Sequence, residues 1–148
     1  MSTTDDSADE SSETINVTLN DVVGATLGSE NSAVITVEDN DVVIEPGVLQ
    51  INSPRYTIQE NVGTITVTVV RTNGADGTVT VQYSTSNGSA TAGQDYISTS
   101  GTLTFADGES SKSFSVSIID DSEDESSETI NVTLSNVIGA TLGSESSA

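Results

Sequence analysis

Between Thr64 and Leu134 the chain alternates apolar and small polar residues in five separate runs. Thr64–Val69 places Ile65, Val67 and Val69 on one face. Thr78–Tyr83, Thr102–Phe105, Ser113–Ile118 and Thr129–Leu134 repeat the pattern with Val79/Val81/Tyr83, Leu103/Phe105, Phe114/Val116/Ile118 and Ile130/Val132/Leu134. A period of two is the mark of a half-buried strand, since successive side chains point to opposite faces. Threonine suits the solvent face because its branched Cβ favours extended backbone. Asn73-Gly74, Asp76-Gly77, Asn87-Gly88 and Asp107-Gly108 punctuate the runs as turns. No segment sustains a helical period. The pattern predicts an all-β chain, an antiparallel β-sandwich.

Charge limits what such a sandwich can meet. Twenty-three acids face three bases, Arg55, Arg71 and Lys112, for a formal charge of −20. Nucleic acid and anionic membrane both need clustered Lys and Arg, so neither is an expected partner. Strong acidity opens two routes: disorder, or neutralisation by divalent cations. The alternation argues against disorder except at the termini. No apolar run approaches the ~20 residues of a membrane span. The opening MSTTDDSADE lacks the basic and apolar regions of a signal peptide. Without cysteine there are no disulfides. With no His, and no Cys or Lys beside a plausible nucleophile, no enzyme is expected.

Residues 5–33 overlay residues 120–148 at an offset of 115 and match at 24 of 29 positions. The differences are Ala8/Glu123, Asn20/Ser135, Asp21/Asn136, Val23/Ile138 and Asn31/Ser146. That period exceeds the 20–50 residues or so of a solenoid repeat and is the size of one sandwich domain. The expected organisation is an excerpt of a tandem array. Residues 1–41 carry the last two strands of one repeat, 42–48 a linker, and 49–148 a repeat lacking its last strand. The earlier copy runs past Ala33 into Val34-Ile35-Thr36-Val37-Glu38-Asp39-Asn40-Asp41.

Both copies open on acids: DDSEDESSE at 120–128 and DDSADESSE at 5–13. Such a run between strands is ordinarily a solvated loop. Here it abuts an apolar strand end, recurs, and is matched by the acidic group Glu38–Asp41 after another strand. Packed like charges need compensation. Calcium supplies it with six to eight hard oxygen ligands in tolerant geometry, whereas zinc favours His and Cys and magnesium keeps its waters. The run is not an EF-hand loop, which needs a different spacing and flanking helices.

Taken in order, several stretches make the chain similar to Calx-beta domains, the calcium-binding repeats of sodium–calcium exchangers and of large extracellular proteins. They are Tyr56–Thr64 (YTIQENVGT), Gly88–Tyr96 (GSATAGQDY), Gly101–Phe105 (GTLTF), Ile118–Asp121 (IIDD), Glu128–Leu134 (ETINVTL) and the closing Asp39-Asn40-Asp41. The resemblance implies an immunoglobulin-like sandwich of about seven strands with calcium clustered at one end. Carried over by position, the implied ligands are Glu60, Asp95, Asp120, Asp121, Glu125 and Glu128, with Asp39 and Asp41 from the closing triplet. Asn40 replaces a charge at its middle position. Glu123 and Asp124 have no counterpart and read as solvated. Asp5, Asp6, Glu10 and Glu13 form the matching set in the first copy.

A complete site would need Asp39 and Asp41 beside Asp120 and Asp121. Folding back within one chain would require residues 42–50 to cross the domain, roughly 30 Å at ~3.3 Å per residue. The favoured expectation is therefore exchange between copies, docked head to tail in a filament. The expected function is a calcium-binding structural repeat of an extracellular or cell-surface, bacterial protein: a spacer, stalk or adhesion element. The alternative is a regulatory calcium sensor. Asn16, Asn87 and Asn131 fit the glycosylation sequon, a pattern common by chance in Thr/Ser-rich chains.

Overall fold

A computed structural model of the chain describes residues 9–122 and 126–148. The chain forms two compact units, dividing between Val43 and Ile44 within the expected linker.

The first unit is a hairpin of β1 (Glu13–Thr18) and β2 (Ser32–Val37), antiparallel from Glu13 opposite Val37 to Thr18 opposite Ser32. Its apolar residues remain largely exposed: Val17 42%, Leu19 59%, Ile35 49%. A two-stranded ribbon has no second layer against which to bury them.

The second unit is a two-sheet sandwich. One sheet has the order β10-β3-β4-β8-β6 and the other β7-β5-β9. The strands are β3 (Val48–Ile51), β4 (Thr64–Thr72), β5 (Val79–Asn87), β6 (Tyr96–Ile97), β7 (Ser100–Phe105), β8 (Ser111–Ile118), β9 (Ile130–Ile138) and β10 (Thr141–Leu142). All pairings are antiparallel except β10 with β3. The five alternating runs of the sequence each become a strand with the expected face inward. Val67, Val69, Val79, Val81, Phe105, Val116 and Leu134 are buried in one core. Each such side chain contributes roughly 1.5–3 kcal/mol through loss of contact with water. Tyr83 of β5 stacks on Phe114 of β8 with ring centroids 3.9 Å apart, joining the two sheets.

The end of the chain crosses from one sheet to the other. Gly143 N–H donates to Leu49 O beside β3. Ser146 and Ala148 then hydrogen-bond Leu134 and Val132 on the outer edge of β9. At the opposite end of β4, Arg71 is 3% exposed. Its guanidinium donates to the carbonyls of Pro46 (2.8 Å), Ala106 (3.2 Å) and Asp76 (2.6 Å). Residues 45–47 are thereby bound to the turn after β4. Gly74 is at φ +125°, and a Cβ there would run into the Glu45 carbonyl. The C-terminal part of the expected linker is thus built into the domain.

Candidate metal centre

Four of the sequence-predicted acids line one open cleft at the end of the sandwich, of about 620 Å³: Glu60, Asp95, Asp120 and Glu128. Ile58, Ala90 and Ile118 form part of its floor, and Ser126 and Ser127 add hydroxyls. No Lys or Arg lines it.

Each acid stands on a separately fastened segment. Glu60 opens a single 3-10 turn, Glu60–Val62, closed by Gly63 at φ +79°, whose N–H donates to Glu60 O. Ile118 N–H donates in turn to Gly63 O at 3.0 Å, so the Glu60 turn is tied to the strand that leads into Asp120. Asp95 lies in the loop between β5 and β6. Its Oδ2 accepts from Thr91 N–H at 2.6 Å, and its carbonyl accepts from Ile119 N–H at 2.9 Å. The same loop is anchored by Tyr96, fully buried, whose hydroxyl donates to Asn87 Oδ1 at 2.8 Å.

Thr129 makes the third tie. Its carbonyl accepts from Gly88 and Ala90 N–H, both at 3.1 Å. Its N–H donates to Ser89 Oγ at 2.9 Å, and its Oγ1 accepts from Ser89 N–H at 3.1 Å. Gly88 is required at this contact because a Cβ would strike Thr129 O. The loop carrying Asp95 and the strand start carrying Glu128 are therefore one hydrogen-bonded body. Sequence reasoning saw Gly88–Tyr96 and Glu128–Leu134 as separate motifs and missed Ser89 and Thr129 as their fastener. A Ser and a Thr forty residues apart carry no local signal of pairing.

Asp121 follows Asp120 on the exposed loop but does not line the cleft. Glu125, with Glu123 and Asp124, lies outside the described residues, as do Asp5 and Asp6 of the first copy. Asp39 and Asp41 belong to the first unit. There Asp39 Oδ2 accepts from Glu10 N–H at 2.7 Å and Oδ1 from Asp41 N–H at 3.3 Å. These backbone donors, Glu10 first, hold the Asp39 carboxyl below its usual 3.8. Among the described residues no three acidic side chains converge as a cage. The donor set nevertheless suits a hard cation. It is all oxygen, it carries four carboxylates, and it has no cation of its own.

A family model, the Calx-beta domain, matches residues 44–145. The rat sodium/calcium exchanger 1 is 40% identical over 106 residues, 71% of this chain and 11% of the exchanger. The zebrafish adhesion G-protein coupled receptor V1 is 34% identical over 123 residues, 80% of this chain and 2% of the receptor. Among solved structures, the apo-form Calx CBD1 domain superposes with TM-score 0.66 at 32% identity, covering 68% of this chain and 89% of that one. The calcium binding domain CBD12 of CALX1.1 superposes with TM-score 0.65 at 32% identity, covering 68% of this chain and 42% of that one. The chain thus spans about a tenth of the length of the exchanger it matches.

Proposed function

The chain belongs to the Calx-beta family, and from that premise we propose that it is a calcium-binding structural repeat of an extracellular or cell-surface protein. Calcium there neutralises loop acids, orders one end of the sandwich and stiffens its junction with a neighbouring repeat. One observation carries this reading: four carboxylates, on segments fastened to one another by backbone and hydroxyl hydrogen bonds, surround a cleft with no basic residue. Glu60, Asp95, Asp120 and Glu128 hold the ion. Asp121 and Glu125 are the further ligands the family resemblance implies from the same loop, and Asp39 and Asp41 those it implies for the closing strand of a repeat. The near-identity of residues 5–33 and 120–148 favours an array over a single module, because a spacer gains length from each copy.

A calcium sensor is the second reading, and the likeness to exchangers favours it. The two differ in response. A scaffold gains stability on weak binding, whereas a sensor binds at micromolar calcium and changes shape.

Thermal unfolding tests the site. Calcium at about a hundred times its Kd should add about 2.7 kcal/mol, on the order of 10 °C in a domain of this size. Asp95→Asn should lose most of that gain while keeping the fold. Sodium chloride at matched ionic strength should give a much smaller rise. An equal rise from sodium would mean that screening alone is at work and would sink the site.

A further inference from the structure

The chain contains two Asn-Gly pairs, Asn73-Gly74 in the turn after β4 and Asn87-Gly88 at the end of β5. Asn before Gly is open to a slow attack of the backbone on its own side chain, because glycine has no Cβ to shield its amide nitrogen. Both Asn residues are exposed, so exposure does not separate them. Bonding does. Asn87 Oδ1 accepts from Ala92 N–H at 3.0 Å and from the Tyr96 hydroxyl at 2.8 Å. Gly88 N–H, the group that would react, donates to Thr129 O at 3.1 Å. Asn73 and Gly74 stand outside any strand, at φ 56° and φ 125°. Among the described residues, no hydrogen bond engages the Asn73 side chain or Gly74 N–H.

We propose that Asn73-Gly74 is a site of spontaneous modification in the folded chain, converting Asn73 to isoaspartate and releasing the clamp on residues 45–47. Gly74 nitrogen gives its proton to hydroxide and bonds to Asn73 Cγ. The Cγ–Nδ2 bond breaks, and ammonia leaves with a proton from water, which restores the hydroxide. Water then opens the five-membered imide. Entry at Cγ gives ordinary aspartate. Entry at the Asn73 backbone carbonyl gives isoaspartate, whose main chain runs through Cβ and Cγ and is one methylene longer. Water is the only co-reactant.

The turn has no room for that methylene. A Cβ on Gly74 would meet the Glu45 carbonyl, and a Cβ on Gly47 would meet the Gly74 carbonyl. Asp76 N–H donates to Glu45 O at 3.1 Å, and Asp76 Oδ2 accepts from Glu45 N–H at 2.8 Å. Arg71 holds the carbonyls of Asp76 and Pro46 together. A longer main chain at residue 73 displaces Gly74 and Asp76 from these partners. The new carboxylate also joins Glu45 and Asp76 in a chain already at −20, which adds repulsion at the same turn.

The test is incubation of the folded chain at mildly alkaline pH and physiological temperature. Cleavage after Arg71 and Lys112 yields residues 72–112, which hold both pairs, so fragment-ion mass spectrometry reads the two rates in one peptide. Conversion at Asn73 should exceed that at Asn87 by on the order of a hundredfold, since Asn87-Gly88 must first break three hydrogen bonds worth about fivefold each. In urea those bonds are gone, and the two rates should converge. Equal rates in the folded chain, or conversion at Asn73 in urea alone, overturn the site. The clamp is read separately. The separated isoaspartyl chain should have a lower urea midpoint than Asn73→Asp, which carries the same charge without the extra methylene. Equal midpoints overturn the release of the clamp. Asn73→Gly, which keeps the positive φ without the reactive amide, should show neither the conversion nor the loss on incubation.

Discussion

Arg71 is one of three bases in the chain and is buried, its guanidinium held by three backbone carbonyls. Arg71→Met would leave those carbonyls without a donor inside the domain. It should lower stability by about 3 kcal/mol, read as a lower urea midpoint with unchanged slope. The sequence marks Arg71 only as the residue after an apolar run. Its burial depends on Pro46 and Ala106, which no local pattern connects to it. Glu109 is the contrasting case, on the surface. Its carboxyl lies below its usual 4.5, first because the Lys112 ammonium bonds to it at 2.7 Å and then through the Ala106 N–H. A carboxyl depressed on folding stabilises the fold above its unfolded value, and that contribution fades as pH falls from about 4.5 through the folded value. Lys112→Met should return the Glu109 titration toward 4.5 in a carboxyl NMR experiment.

Among elements, the long strands are legible because alternation over six or more residues has no other cheap explanation. β3 shows how that signal fails. Val48-Leu49-Gln50-Ile51 is too short to establish a period, yet Leu49 and Ile51 are fully buried because β3 lies between β4 and β10. β6 and β10, of two residues each, exist only through the partners beside them. The candidate site divides in the same way. The acids Glu60, Asp95, Asp120 and Glu128 are visible as charges at strand ends. The bonds that gather their loops run through Gly63, Ser89 and Thr129, small residues with no signature of their own. Turn geometry is readable where glycine is forced. Gly74 holds φ +125° with the Glu45 carbonyl against it, so Gly74→Ala should cost about 2 kcal/mol or more, through backbone strain and steric clash together. Calorimetric unfolding should show the loss, while Gly108→Ala, with open space around the added methyl, should lose less.

At the scale of the whole molecule, the 115-residue self-match and the charge of −20 carry the most information. The first is the ground for expecting parts of two repeats; the chain forms two compact units. The second says that compaction works against self-repulsion, which is why calcium and sodium should differ as stabilisers. A bound divalent ion cancels charge where it is densest, whereas monovalent salt only shortens the range of repulsion.

The parallel contact between β3 and β10 also gives the domain a mechanical character. β3 follows directly from the point where the chain is clamped by Arg71 and Gly74, and β10 leads to the last residues. Tension applied to the two ends would pull these parallel neighbours in opposite senses along their length. The bonds from Thr141 to Gly47, Gly143 to Leu49 and Ile51 to Glu145 would then be loaded together in shear. A strand pair peeled from one end yields bond by bond. This one is arranged to yield all at once.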